Sequence, residues 1–441
     1  MTFQLICLII GNLLISVLLL KGLHPILSVL AGVSVMIWTN GLPYFETFTA
    51  GLTSWGGAMM PTIYLTLLGG SLGVIYTKTG AITSMAKVLL IPSQKVSSDA
   101  AKICLCIIGF VFFRVLLGLA GFVNEAIIVT MMCMCGVIFK TADVPRRHLP
   151  ALTAFAASLG TVMPGAPTMI NTFLSLNFPE EYSSTAYMGG RIVLWVIFIA
   201  LFLVFMTAWI LRDKKKGNHF EQGNMLLPEF EEGKKEPNFL LALVPILVIF
   251  VFYNFLGFDS WAAVAMGVIA AAVAFWGYVP VEGDAKTKFG SVLNFMGEGV
   301  MLIPIQLMLM VLPVMIMSQA PAFEWGVNLL NNAGFSMTVA LAILTLIFMF
   351  FGGLGTVPAL CPVFASVYAP AGVSLYAFTM FVTWGVAFSG GLPTNASISV
   401  ESNLADCKVG QTYPSIFIGS ICTATIVYIL AILASLAGFF G

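Results

Sequence analysis

SLGTVMPGAPTMIN, residues 158–171, decides the fold. It lies in the middle of a long apolar segment, yet it carries Pro164 and Pro167, two glycines and a cluster of hydroxyls and amides. A helix does not run through it intact, because each proline lacks an N–H and clashes with the preceding turn. In a bilayer, unpartnered backbone costs several kcal/mol per group. A break of this kind therefore survives only where protein or a watery cavity covers it. A broken membrane helix is a candidate binding site, and a second break in the matching place of the other half strengthens the case. The second break is SGGLPTNAS, residues 389–397, and its Pro393 follows Pro164 by 229 positions.

The surrounding composition demands a membrane. The chain has 441 residues, of which 59% are apolar and 9% charged, and its mean hydropathy is +1.01. A soluble chain carries roughly 25% charged residues. An all-α membrane protein with many spans is expected. The net charge is zero, which gives no indication of a nucleic-acid partner. The apolar N-terminus lacks a basic leader and a small-residue cleavage site, so it reads as an uncleaved first span. Cys104 with Cys106, and Cys133 with Cys135, have C-x-C spacing. On a helix such pairs point to different faces, so they read as small packing residues and no metal site is expected. His24, His148 and His219 fall in loops or at span ends.

In chain order, spans are expected at about 3–20, 25–40 and 58–76, with residues 41–57 as an amphipathic connector and 77–102 as a polar stretch. Residues 103–139 are broken at GLAGFVNEA (118–126), which leaves two legs too short for a comfortable crossing of roughly 20 residues. They read as a re-entrant hairpin. The broken segment 149–178 and a long span at 188–211 complete the first half. The second half repeats the order: spans at 238–256, 260–277 and 299–318, a hairpin at 337–369 broken at FGGLGTVPA (351–359), a broken segment at 373–412 and a last span at 414–438. Pro43 and Pro280, Pro61 and Pro304, and Gly121 and Gly355 are further markers at offsets of 237, 243 and 234. The expected domains are a membrane repeat at 1–211, a cytoplasmic linker at 212–236 and a second membrane repeat at 237–441.

Charge tests this topology. Five crossings and a self-returning hairpin per half make the second repeat inverted. With the linker in the cytoplasm, 17 of 19 basic residues fall on the cytoplasmic side, as the positive-inside rule requires. Exterior loops then carry Glu46, Glu180, Glu181, Asp259 and Glu324, with Arg191 the basic residue nearby.

Two hairpin tips and two breaks are expected to meet near the bilayer midplane. They offer Asn124, Ser158, Thr161, Thr168, Asn171, Thr356, Thr394, Asn395 and Ser397 as a substrate site. Half-helix N-termini there favour an anion, and hydroxyl and amide side chains can orient a carboxylate or a sugar-acid hydroxyl. Glu125, Gly160, Gly355 and Ser389 form the expected coupling-ion set. Freed carbonyls at half-helix C-termini can hold Na⁺. A carboxylate at a hairpin tip inside a membrane can carry a proton or ligate a cation. The bland alternatives are helix packing for the small polar residues and an ion pair with Arg114 for Glu125. Glu401 follows the second break toward the cytoplasm. No phosphate-binding loop, nucleotide fingerprint or helical H-E-x-x-H occurs, so an enzyme is not expected. The only cofactor expected is the coupling H⁺ or Na⁺.

GGSLGVIYTKTGAITSMAK (69–87), GFVNEAIIV (121–129), TVMPGAPTM (161–169) and GGLGTVPALCPV (352–363) occur in an order that resembles the ion transporter superfamily. Within it, the chain looks like the gluconate permease (GntP-type) organic-acid permeases. The resemblance implies cation-coupled symport of hydroxy-acid or sugar-acid anions, a homodimer, an elevator-type movement and a place in the bacterial inner membrane. The competing expectations are a Na⁺/H⁺ antiporter of the same superfamily, a channel and a membrane enzyme.

Overall fold

The computed structural model describes residues 1–21, 23–94, 96–122, 124–225, 235–281, 283–301, 312–392 and 395–440. Every regular element among the described residues is helical. The first series runs α1 (Thr2–Leu20), α2 (Pro25–Thr39), α3 (Tyr44–Lys78), α4 (Ala81–Gln94), α5 (Asp99–Leu119), α6 (Asn124–Lys140), α7 (Leu149–Thr161), α8 (Met169–Asn177) and α9 (Met188–Lys214). The second runs α10 (Phe239–Asn254), α11 (Ser260–Ala274), α12 (Ala285–Met301), α13 (Leu312–Met317), α14 (Pro321–Asn331), α15 (Met337–Gly352), α16 (Val357–Val363), α17 (Leu375–Gly390), α18 (Ala396–Leu404) and α19 (Val409–Leu436). α16 continues into a π-helical turn, and α19 contains one.

Local chemistry sets several of the starts. Asn238, Ser336, Ser374, Thr168 and Asn395 each accept a hydrogen bond from an N–H in the first turn of the helix that follows. Such caps satisfy donors that a helix start otherwise leaves orphaned. α5, α9 and α19 are long and apolar enough to cross a membrane. Large apolar side chains on α9 (Ile192, Val196, Val204) and α10 (Leu240, Leu247, Val251) are exposed, as a lipid-facing surface requires.

Four expectations about the elements change. The connector 41–57 and the third span are one 35-residue helix, α3, which runs through Pro61. At 1.5 Å per residue it is about 52 Å long, more than a bilayer's hydrocarbon core. The polar stretch 77–102 contains the 14-residue helix α4 and the start of α5. The first hairpin leg starts at Asp99, not 103, and its 21 residues are long enough to cross. α14, a short helix after the third span of the second series, was not foreseen. Part of the span expected at 299–318 lies outside the described residues.

Close packing depends on small residues. A Cβ on Gly70's partner Gly299 would lie 2.5 Å from the Gly70 backbone, and one on Gly51 would meet Ile316 at 2.7 Å. α3 and the pair α12–α13 therefore run antiparallel in near-backbone contact. Ser71 Oγ adds a hydrogen bond to the Met296 carbonyl at 3.0 Å. Among the described residues, all the ion pairs join groups that the charge argument assigns to one side. They include Lys78–Glu298, Lys87–Glu236, Arg146–Asp406, Arg147–Asp213 and Lys214–Asp99. Lys214 binds Asp99 at the start of α5 and the Ala142 carbonyl just past α6, so the hairpin leaves and returns on the same side.

Candidate functional site

Four non-helical elements are linked in one series of contacts. The first hairpin turns at Gly121, whose φ of +68° suits glycine. A Cβ there would lie 2.9 Å from Pro167 of the first break, and one on Gly118 would lie 2.8 Å from Met163 Sδ. The first break touches the second: Ser158 Oγ donates to the Ala387 carbonyl at 3.5 Å, and a Cβ on Gly390 would sit 2.4 Å from that hydroxyl. The second break touches the second hairpin tip, where a Cβ on Gly353 would lie 3.4 Å from Ser389 Oγ. The legs also cross over: α16 packs on α8, and α18 packs on α6.

Both breaks are built by the same device. Asn171 Nδ2 donates to the Ala166 carbonyl at 2.6 Å, and Asn395 Nδ2 donates to the Gly390 carbonyl at 3.1 Å, each reaching five residues back. The amide closes the unwound turn where the backbone lacks helical partners. Thr168 caps α8 by accepting from the Asn171 N–H at 3.3 Å. Asn395 caps α18 by accepting from the Ser397 N–H at 3.1 Å, and it also accepts from Ser397 Oγ at 2.9 Å.

The expected site residues divide by geometry. Ser158, Ser389, Asn395 and Ser397 lie at the junction of the breaks and tips. Thr161 lies in the last turn of α7, half-buried, with its hydroxyl donating to the Ala157 carbonyl at 3.0 Å. Thr356 is fully buried in the second tip and donates to the Gly353 carbonyl at 2.8 Å; Gly355 lies in the same turn. Asn171 is buried with its hydrogen-bonding capacity taken up: its Oδ1 accepts from Tyr182 at 2.6 Å and from Arg191 at 2.7 Å. It organises the break rather than facing an open space. Gly160 lies under Arg114, whose guanidinium occupies the place of a Cβ. Arg114 in turn donates to the carbonyls of Ala156 at 2.9 Å and Phe122 at 3.3 Å, which ties the hairpin tip to α7. The side chains of Asn124 and Glu125, and the whole of Thr394, lie outside the described residues. Among the described residues no group of three or more His, Cys, Asp or Glu could hold a metal ion.

The fold also promotes two residues that sequence reasoning underrated. Glu401, expected on the way to the cytoplasm, is fully buried in α18, the helix that leaves the second break and packs on α6. Arg191, expected beside the exterior loops, is buried in the first turn of α9 against α8. Both are ionisable groups within apolar stretches, a signal that the sequence does carry.

No family model matches this sequence, and no curated protein matches it. Comparison with solved structures finds the Alcanivorax borkumensis YdaH transporter, described as having an unusual topology. The TM-score is 0.53 at 15% identity, over 89% of this chain and 88% of that one. The chain has the fold of a membrane transporter. At this identity the likeness is one of fold.

Proposed function

We propose that this protein is a secondary active transporter of a small organic anion, a hydroxy or sugar acid, driven by symport of H⁺ or Na⁺. The observation that carries this reading is the continuous contact from Gly121 through Pro167, Ser158 and Ala387 to Ser389 and Gly353. It brings two broken helices and two hairpin tips to one place. Irregular backbone at membrane depth is tolerated where it is buried in protein or lines a cavity, and in transporters it forms the substrate and ion sites. The caps at Thr168 and Asn395 start α8 and α18 at this junction. A carboxylate there meets the positive ends of two helices, each contact contributing up to about 2 kcal/mol in a partly buried geometry.

The proposal takes the two halves as an inverted repeat, and two likenesses between them support it. The two element series have the same order, and both breaks are closed by an asparagine reaching five residues back. Glu125 remains the coupling carboxylate of this proposal, with Gly355 and Ser389 offering oxygens for a cation. The proposal includes a homodimer in a bacterial inner membrane, with the linker in the cytoplasm and elevator-type movement of the broken helices and hairpins.

A thermal-shift screen of organic acids at two Na⁺ concentrations tests it, because a ligand that binds only the folded state raises apparent stability. A stabilising hydroxy acid whose effect grows with Na⁺ or with acidity supports symport. Stabilisation by Na⁺ alone, with no response to any acid, replaces symport with Na⁺/H⁺ exchange.

A further inference from the structure

Arg191 carries a charge that no described carboxylate balances. Its side chain is 2% exposed. Nη1 donates to Tyr182 Oη at 3.0 Å and to the Ser184 carbonyl at 3.1 Å, and Nη2 donates to Asn171 Oδ1 at 2.7 Å. All three acceptors are neutral. Nε is buried without a partner among the described residues, and none of their ion pairs includes Arg191. The acidic residues nearest in the chain, Glu180 and Glu181, are exposed, as is Asp259 at the start of α11.

A buried cation without a counter-charge is strongly unfavourable. Neutral side chains could make hydrogen bonds to the same acceptors without that penalty. Among the described residues no carboxylate supplies the balancing charge, and an anionic ligand would give the guanidinium here a physical purpose. The neighbouring turn offers a place for it. Arg191 and Tyr182 both donate to Asn171 Oδ1, and the other end of that amide holds the Ala166 carbonyl. This fixes the unwound stretch before α8. At the start of α8, the Asn171 N–H is bound by Thr168, whereas among the described residues the N–H groups of Met169 and Ile170 have no acceptor. Free N–H groups at a helix start and a fixed positive charge against the same turn favour the same ligand, an anion.

We infer that Arg191 is the fixed charge that makes the first break select carboxylates, and that it does so as a positioning residue acting through Asn171. The inference rests on the organic-anion reading above and adds to it the residue that distinguishes an acid from a neutral polyol. The carboxylate sits at the Met169 and Ile170 N–H groups, where Arg191 supplies charge without direct contact. Arg191 also holds the geometry of that turn through Asn171.

The experiment uses the full-length protein in detergent, with gluconate as the probe and sorbitol as its neutral counterpart. Binding is read by thermal shift and calorimetry in wild type, Arg191→Gln, Arg191→Lys and Tyr182→Phe. Gluconate but not sorbitol should bind wild type. Arg191→Gln should weaken gluconate binding at least tenfold, Arg191→Lys should recover most of it, and Tyr182→Phe, which removes a hydrogen bond but no charge, should stay within about threefold of wild type. A purely structural role predicts equal losses in Lys and Gln that follow the loss of stability without ligand. Wild-type affinity in Arg191→Gln would overturn the inference. If Arg191→Gln does not fold, the other two variants decide: near wild-type affinity in Arg191→Lys supports the charge role, and a tenfold loss in both Arg191→Lys and Tyr182→Phe overturns it. Wild type that binds gluconate and sorbitol equally well overturns the selectivity claim alone. Wild type that binds neither gluconate, lactate nor citrate overturns the organic-anion reading and this assignment with it.

Discussion

Ser158 Oγ lies 3.5 Å from the carbonyl oxygen of Ala387, and the two residues are 229 positions apart, the same offset that separates Pro164 from Pro393. The contact ties the first break directly to the second. Gly390 leaves the space that the Ser158 hydroxyl fills.

Gly390→Ala should therefore damage this junction. The added methyl would lie 2.4 Å from Ser158 Oγ. Overpacking of this kind costs about 1–3 kcal/mol. The variant should melt several degrees lower and transport more slowly. Ser158→Gly in the same chain should restore the melting temperature, because it removes the hydroxyl that the methyl meets. A double variant no better than Gly390→Ala alone would mean that the clash is made elsewhere.

Much of the junction could be read from the chain. Pro164, Pro167 and Pro393 mark breaks because each stands among glycines and small polar residues, whereas a lone proline such as Pro61 is carried within a helix. The Thr168 and Asn395 caps are local in the same way. Tertiary facts were not legible. Residues 77–102 read only as a polar stretch because the packing that makes α4 a helix depends on its neighbours, and Pro61 suggested a helix start although α3 tolerates it within 35 residues. Asn171 looked like a ligand because sequence does not reveal that Tyr182 and Arg191 occupy its oxygen. Glu401 looked peripheral because the helices α6 and α7 that pack on α18 come more than two hundred positions earlier in the chain.

Glu125→Gln should abolish accumulation of substrate while leaving expression and melting temperature near those of wild type. A carboxylate that changes protonation or ligates a cation during the cycle is lost, whereas side-chain volume is kept. The measurement is gradient-driven uptake beside the melting curve. Full accumulation by the variant would reduce Glu125 to a structural role.

His148 makes stability depend on pH at the face where the ion pairs gather. It is buried, with Nε2 2.8 Å from Asp213 Oδ2 and Nδ1 2.8 Å from Ser415 Oγ. The carboxylate accepts only, so Nε2 carries the proton and the Ser415 hydroxyl donates to Nδ1. Burial holds the imidazole below its ordinary value; Asp213 pulls it partly back up and Arg147 pushes it down. As pH falls below about 6.5, the unfolded chain takes up a proton that the folded chain resists, so stability falls. The melting temperature should drop between pH 7 and the lower pKa of the folded imidazole. His148→Asn should show a shallower drop over the same range. An identical slope in the variant would assign the acid sensitivity to other groups.

Gradient-driven accumulation in proteoliposomes tests the central claim most directly. Purified protein is reconstituted and radiolabelled gluconate uptake is followed under an imposed inward H⁺ or Na⁺ gradient, with and without an ionophore that collapses it. The account predicts saturable accumulation above the external concentration, lost with the ionophore and reduced at least tenfold in Asn395→Ala, since roughly 1.4 kcal/mol is a factor of ten and a hydrogen bond to a charged ligand contributes about 1.5–3 kcal/mol. Non-saturable flux that only equilibrates would instead describe a channel, and gradient-coupled uptake unchanged in Asn395→Ala would place the substrate away from the two breaks.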